Sequence, residues 1–172
     1  MHRPHSTLIA VFVALSFACP AFAQNAPSTS TATCNFDDEK QLVVEYLPVS
    51  VNLKKAVSTQ IPFGKPWAPG GKPITLFTNT PLQVRSTKLP VGAYTMFVIP
   101  DGKQWTLIVS KSTEMTGAYD AQQDIVRVPM DSGELPSPES SLFVSFAHVA
   151  PGQCNLRVDL DKRGHFAEFM AK

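Results

Sequence analysis

LPVGAYTMFVIPDGKQWTLIVS, residues 89–110, is the stretch that decides the fold. Two apolar runs, 93–99 and 104–110, are rich in the β-branched and aromatic residues that suit a pleated surface, and Pro100-Asp101-Gly102 separates them. Pro100 fixes φ, Asp101 can cap a turn with its carboxylate, and Gly102 can take the left-handed conformation that closes a three-residue loop. Such a loop pairs Ile99 with Lys103. Counting back from that pair sets Phe97 opposite Trp105, Thr95 opposite Leu107 and Ala93 opposite Val109 on one face. Tyr94, Met96 and Val98 share the other face with Ile108, Thr106 and Gln104. Apolar residues on both faces predict a central hairpin covered on two sides, a scaffold that carries no chemistry of its own.

Outward from the hairpin, extended segments recur with turn signals between them. They fall at 41–46, 49–53 after the break at Pro48, 74–78, 82–86, 125–130, 142–149, 154–160 and 165–169. In the segment 154–160, Cys154, Leu156, Val158 and Leu160 alternate with Asn155, Arg157 and Asp159, the pattern of a strand with one wet face. Ala150-Pro151-Gly152-Gln153 reads as a hairpin turn, and the polar stretch 132–141, SGELPSPESS, reads as a long loop. No window sustains an apolar period of 3.6 residues. About nine short strands therefore predict an all-β antiparallel sandwich, with a closed β-barrel as the alternative. The loop 61–73, IPFGKPWAPGGKP, holds four prolines and three glycines, so it is neither helix nor central strand. Phe63 and Trp67 are the apolar groups able to pin it down.

The N-terminus predicts export. His2, Arg3 and His5 precede an apolar run over 7–18, and Ala21-Phe22-Ala23 fits the signal-peptidase pattern. The run is too short to span a bilayer, so residues 1–23 are read as a cleaved signal peptide, 24–33 as a flexible linker and 34–172 as one domain. No transmembrane segment is expected after cleavage, and the location is periplasmic or secreted. A lipoprotein anchored at Cys19 is the alternative, although Ser16-Phe17-Ala18 puts a large aromatic where a small residue is wanted. Beyond Ala23 the chain keeps 14 basic and 14 acidic residues, because Arg3 is the one charged residue removed. A nucleic-acid partner would need a basic stripe, and none is present. Cys34 and Cys154 remain as an even pair in an exported chain, which predicts a disulfide.

Several motifs in order resemble the bacterial exported family called domain of unknown function 2911. They are P-F-G-K-x-W at Pro62 to Trp67, L-P-x-G-x-Y at Leu89 to Tyr94, I-P-x-x-x-x-W-T at Ile99 to Thr106, Y-D at Tyr119-Asp120 and D-x-x-R-V at Asp124 to Val128. The resemblance implies a mostly β, extracytoplasmic domain with no assigned activity. Relatives of that family continue the loop after the tryptophan as R-x-G-A-N-E, whereas here Trp67 is followed by Ala68-Pro69-Gly70-Gly71-Lys72-Pro73. If those polar residues form the family's site, this chain has lost it or changed its chemistry.

Catalytic signatures are sparse. No G-x-S-x-G elbow occurs, and Gly70-Gly71-Lys72 lacks the hydroxyl residue and helix of a phosphate loop. His148 is in phase with Leu142, Val144 and Phe146, which reads as a core-edge histidine. His165 follows the apparent turn Asp161-Lys162-Arg163-Gly164, which reads as exposed. Metal-assisted hydrolysis through His148, His165 and a nearby carboxylate, Asp161, Asp159 or Glu168, is the enzymatic alternative; no pair has diagnostic ligand spacing. Asp120 and Asp124 could hold Ca²⁺ or act as paired carboxylates, but a polar stretch this short more often caps a turn. The expectation is a non-catalytic binding or structural module with no cofactor. Its surface would centre on the loop 61–73, with Lys65, Trp67, Lys72 and Tyr119 as contacts for a small molecule, a glycan or an envelope protein.

Overall fold

A computed structural model describes residues 28–116 and 118–172, and the proposed signal peptide and lipidation site lie outside them. Ten strands form two antiparallel sheets that pack face to face without closing into a barrel. The chain is an all-β sandwich. One sheet contains β1 (Ser30–Asn35), β2 (Gln41–Tyr46), β3 (Ile74–Thr78), β6 (Gly92–Ile99), β7 (Thr106–Ser110) and β8 (Asp124–Pro129), in that spatial order. The other runs β5 (Thr87–Leu89), β4 (Leu82–Val84), β10 (Gln153–Ala171), β9 (Asp131–Ala150). Order therefore begins by Ser30, four residues earlier than the linker reading placed it.

The core lies between the inner faces of the two sheets. Leu42 and Val44 of β2, Ile74 and Leu76 of β3, Met96 and Val98 of β6, and Leu107 and Val109 of β7 meet Leu142 and Val144 of β9. Leu156, Val158 and Phe169 of β10 complete it. On β2 and β3 these residues alternate with half-buried or exposed ones, as a sheet with one buried face requires, whereas β6 and β7 are buried on both faces. Cys34 on β1 and Cys154 on β10 form a disulfide, which joins the two sheets across 120 residues of sequence.

β6 and β7 do form the central hairpin, with a different register. Met96 pairs with Val109, Phe97 with Ile108, Val98 with Leu107 and Ile99 with Thr106. Residues 100–105 make the loop, so the strands have slid by three residues from the three-residue turn. An odd slip exchanges the faces of one strand. Here the slip aligns like with like: Met96, Val98, Leu107 and Val109 all point into the core, while Thr95 faces Ser110 on the outer side. In the shorter loop Thr95 would have faced Leu107. Asp101 still caps, accepting from the Lys103 amide at 2.9 Å. The outer face of this hairpin is covered by the segment after β7. The Thr95 hydroxyl donates to the Ser112 carbonyl at 2.8 Å, and Tyr119 packs edge-on against Phe97 with ring centres 5.3 Å apart.

Three further segments depart from their sequence reading. The stretch 49–53 is no strand of its own: it lies along the edge of β9, where Val51 donates to the Ser140 carbonyl and Leu142 donates to the Val49 carbonyl. The polar stretch 132–141 is part of β9 and pairs with β10 as a two-stranded ribbon. Its side chains are nearly all exposed, so it forms ladder hydrogen bonds without the apolar alternation that marks a strand. Asp161 to Gly164 is likewise no turn. β10 runs straight through it with two register shifts, Leu135 to Pro138 of β9 bowing out opposite Lys162, and Asp161 takes φ 56°.

Candidate functional site

The loop 61–73 lies along β6. Trp67 exchanges both backbone hydrogen bonds with Val98, at 2.8 and 3.2 Å, and the Gly64 amide donates to the Pro100 carbonyl at 2.8 Å. Gly64 has φ 72°, a conformation that favours glycine. Trp67 and Phe63 are half-buried and pack against the core. The loop thus extends β3 along β6 and delivers Phe63 to one end of the sandwich.

At that end lies a cleft of about 230 Å³. Phe63, Trp105, Leu160 and His165 line it together with Asp161, Lys162 and Arg163. Trp105 leaves the β7 ladder in the observed register. Its carbonyl accepts from the Met130 amide, and its ring stacks on His165 with centres 4.3 Å apart and planes 11° from parallel. His165, expected at the surface, is only 3% exposed. The reason is the unbroken course of β10, which carries the residue past Asp161 and onto the indole. Its Nδ1 is buried and has no hydrogen-bond partner. Burial, with help from the Arg163 guanidinium, pushes its pKa down to about 4, so the imidazole is neutral at pH 7.

His148 sits at the other end of β10's ladder with β9. It pairs directly with Cys154, is exposed, and brings Nδ1 to 3.8 Å from the Cys154 sulfur. Its strand phase is the one anticipated, but the position is beyond the packed core. The stretch of β10 from Cys154 to His165 spans roughly 35 Å of extended chain. The two histidines therefore belong to different sites, and a single metal ion cannot take both, since ligand bonds are near 2 Å. Asp161 lines the cleft beside His165.

The other candidates are also dispersed. Lys65 and Lys72 are exposed, and Lys72 borders a small pocket with Pro73 and Met115. Tyr119 lies on the outer side of the first sheet, in a pocket with Lys111, Glu114 and Gln123. Its hydroxyl donates to Asp124 at 2.6 Å, while Arg127 donates to the Tyr119 oxygen at 2.9 Å and to Asp124 at 3.2 Å. Burial and then the Asp124 carboxylate raise the Tyr119 pKa, against the opposing pull of Arg127. Asp120 caps the 3-10 turn Ala121–Gln123 by accepting from the Gln122 amide. Trp67, Lys65, Lys72 and Tyr119 therefore do not converge on one surface. The residues that do converge, Trp105 and His165, are far apart in sequence, and the hairpin register decides whether Trp105 is free to reach.

The motifs behind the family resemblance acquire structural roles. In L-P-x-G-x-Y, the Tyr94 hydroxyl donates to the Pro90 carbonyl at 2.9 Å, and a Cβ at position 92 would come within 3.4 Å of that hydroxyl. In D-x-x-R-V, Asp124 and Arg127 form the ion pair that holds Tyr119. No helix among the described residues is long and apolar enough to cross a membrane. Neither the curated proteins nor the solved structures offer a match to the chain. One family model does match it over residues 27–165, described as a protein of unknown function (DUF2911), and that span covers most of the sequence: the chain belongs to this family.

Proposed function

We propose that the chain is an exported, non-catalytic binding module of the periplasm or cell envelope, and that the cleft beside Trp105 and His165 receives its ligand. The observation that carries this reading is the orphaned Nδ1 of a buried histidine at the wall of an open cleft. A buried polar atom without a partner costs about 1–3 kcal/mol, which a ligand group placed in the cleft could recover. The Trp105 and Phe63 rings supply apolar surface, and Lys162 and Arg163 supply cationic groups at the rim, an arrangement suited to a small polar molecule or a glycan. Export is supported by the signal-like N-terminus and by the disulfide, a bond that persists in oxidising compartments.

Tryptophan fluorescence tests the site, because Trp67 and Trp105 are the only two tryptophans. In Trp67→Phe, soluble glycans and small polar metabolites are screened for a change in Trp105 emission. A ligand that shifts the emission and loses its effect in His165→Phe supports the cleft. Hydrolytic turnover, or binding indifferent to His165→Phe, overturns it. Mature protein beginning at Gln24 in the periplasmic fraction supports export, and intact Met1 in the cytoplasm refutes it.

A further inference from the structure

The far end of β10 holds a second cluster. Cys34, Cys154 and His148 come from β1, β10 and β9, and their two sulfurs and one ring nitrogen lie within 4.8 Å of one another. We propose that these three side chains exchange between the disulfide and a three-ligand site for a thiophilic d10 cation, zinc(II) or copper(I).

The geometry is close to that of a metal site already. Bond lengths of about 2.3 Å to sulfur and 2.0 Å to nitrogen in a tetrahedron place ligand sulfur and nitrogen about 3.6 Å apart. His148 Nδ1 lies 3.8 Å from the Cys154 sulfur. The two sulfurs must separate to about 3.8 Å by the same construction, and the Cys34 sulfur already lies within 4.8 Å of the ring nitrogen. Their Cα atoms are 6.4 Å apart, near the wide end of the range for bonded cysteines, so rotation of the side chains can part them while the strands stay in place. Both cysteines are buried and His148 is exposed, so the imidazole side offers the entry route and leaves the remaining position to water. Two thiolates with an imidazole are the donor set that soft and borderline cations prefer.

The exchange balances with a dithiol as reductant. The dithiol gives two electrons and two protons to the Cys34–Cys154 bond and closes to its own disulfide. The two thiols then lose their protons as the cation binds. His148 contributes the Nδ1 lone pair and keeps its proton on the other nitrogen.

The test uses the full chain, reduced with a phosphine and titrated with cobalt(II), zinc(II) and copper(I) while circular dichroism follows the fold. One equivalent of cobalt should produce thiolate charge-transfer and four-coordinate d–d bands, absent from the oxidised protein. His148→Ala should weaken zinc by more than about tenfold, since even outer ligand-supporting groups are worth 10–100-fold. Copper(I) displacing zinc at one equivalent supports the site and assigns it to the monovalent ion. Equal affinity in reduced wild type and His148→Ala, or no sulfur-to-metal band, overturns the proposal. Should reduction unfold the chain, zinc restoring the β spectrum in wild type and not in His148→Ala supports it, and failure to restore it in either overturns it.

Discussion

Two histidines lie along β10, His148 on β9 opposite its Cys154 and His165 within β10 itself, and their environments are opposite. At the Cys154 end, His148 stands exposed beside a disulfide that binds the two sheets together. Further along β10, His165 is buried flat against Trp105 with one nitrogen unsatisfied. The sequence suggests the reverse, a core-edge His148 by strand phase and an exposed His165 after an apparent turn. Phase says which face a side chain takes, but depth depends on how far the sandwich extends along that strand. On β9 the side chains are already exposed at His148, although Cys154 opposite is buried, whereas near His165 the hexapeptide loop 100–105 folds Trp105 back over it. One end is thus held covalently and the other by packing, so perturbations should separate them.

The largest effect is expected at the covalent end. Replacing both Cys34 and Cys154 with serine releases a loop of 120 residues, and the chain-entropy model puts the loss near 5 kcal/mol. Urea unfolding of oxidised wild type and the double variant measures it. A loss under about 1 kcal/mol would mean that packing alone holds the sheets together.

The packed end should respond to pH instead. His165 has its pKa lowered to about 4 in the fold, against about 6.5 when unfolded. Between those values the unfolded chain binds the extra proton, so stability is intact above pH 6.5 and falls as the pH drops toward 4. The loss approaches about 3 kcal/mol by pH 4 and then stops growing. Asp159 works the other way: burial raises its pKa against the pull of Arg157, so its contribution favours the fold as the pH falls. Comparison with His165→Phe, which keeps a ring on Trp105, isolates the histidine. Equal pH slopes in the two proteins would contradict the buried, neutral imidazole.

How much of this was legible in the sequence depends on what each residue had to report. The sandwich was, because Leu142 to Phe146 and Cys154 to Leu160 alternate cleanly. The disulfide was, because two cysteines remained beyond a signal-like N-terminus. The hairpin register was not, since a Pro-Asp-Gly signal announces a turn without fixing its length, and only the match of Met96 and Val98 to Leu107 and Val109 selects the longer loop. That register frees Trp105, so the cleft was illegible for the same reason. The strand at 132–141 was hidden because its partner is a single neighbouring strand and its side chains face water. Asp161-Lys162-Arg163-Gly164 has turn composition yet forms a bulge, as Asp161 alone takes up the left-handed conformation.

The middle of β10 offers a smaller, steric test. A Cβ at Gly164 would collide with the Asp159 carboxylate and lie 3.1 Å from the Arg157 guanidinium. Gly164→Ala should therefore cost about 1–3 kcal/mol, as overpacking does. Gly133, its partner across the ladder, has open space around the same position, so Gly133→Ala should fall within about 0.5 kcal/mol of wild type. Chemical denaturation of the pair distinguishes a crowded site from a general intolerance of alanine in this ribbon. Equal costs would mean that the ribbon, and not the Asp159 contact, demands glycine.

The smallest effect is expected from His148→Ala. The side chain is exposed, its one polar neighbour is a disulfide sulfur at 3.8 Å, and such a contact is a weak acceptor at best. In oxidised protein the substitution should change stability by no more than about 0.5 kcal/mol, in contrast to the several kcal/mol lost with the bond itself. Near-zero cost in the oxidised state would make the histidine's position beside the sulfurs dispensable for folding. A loss of 2 kcal/mol or more would instead show that His148 supports the packing of β1 on β9, and both places along β10 would then depend on a histidine.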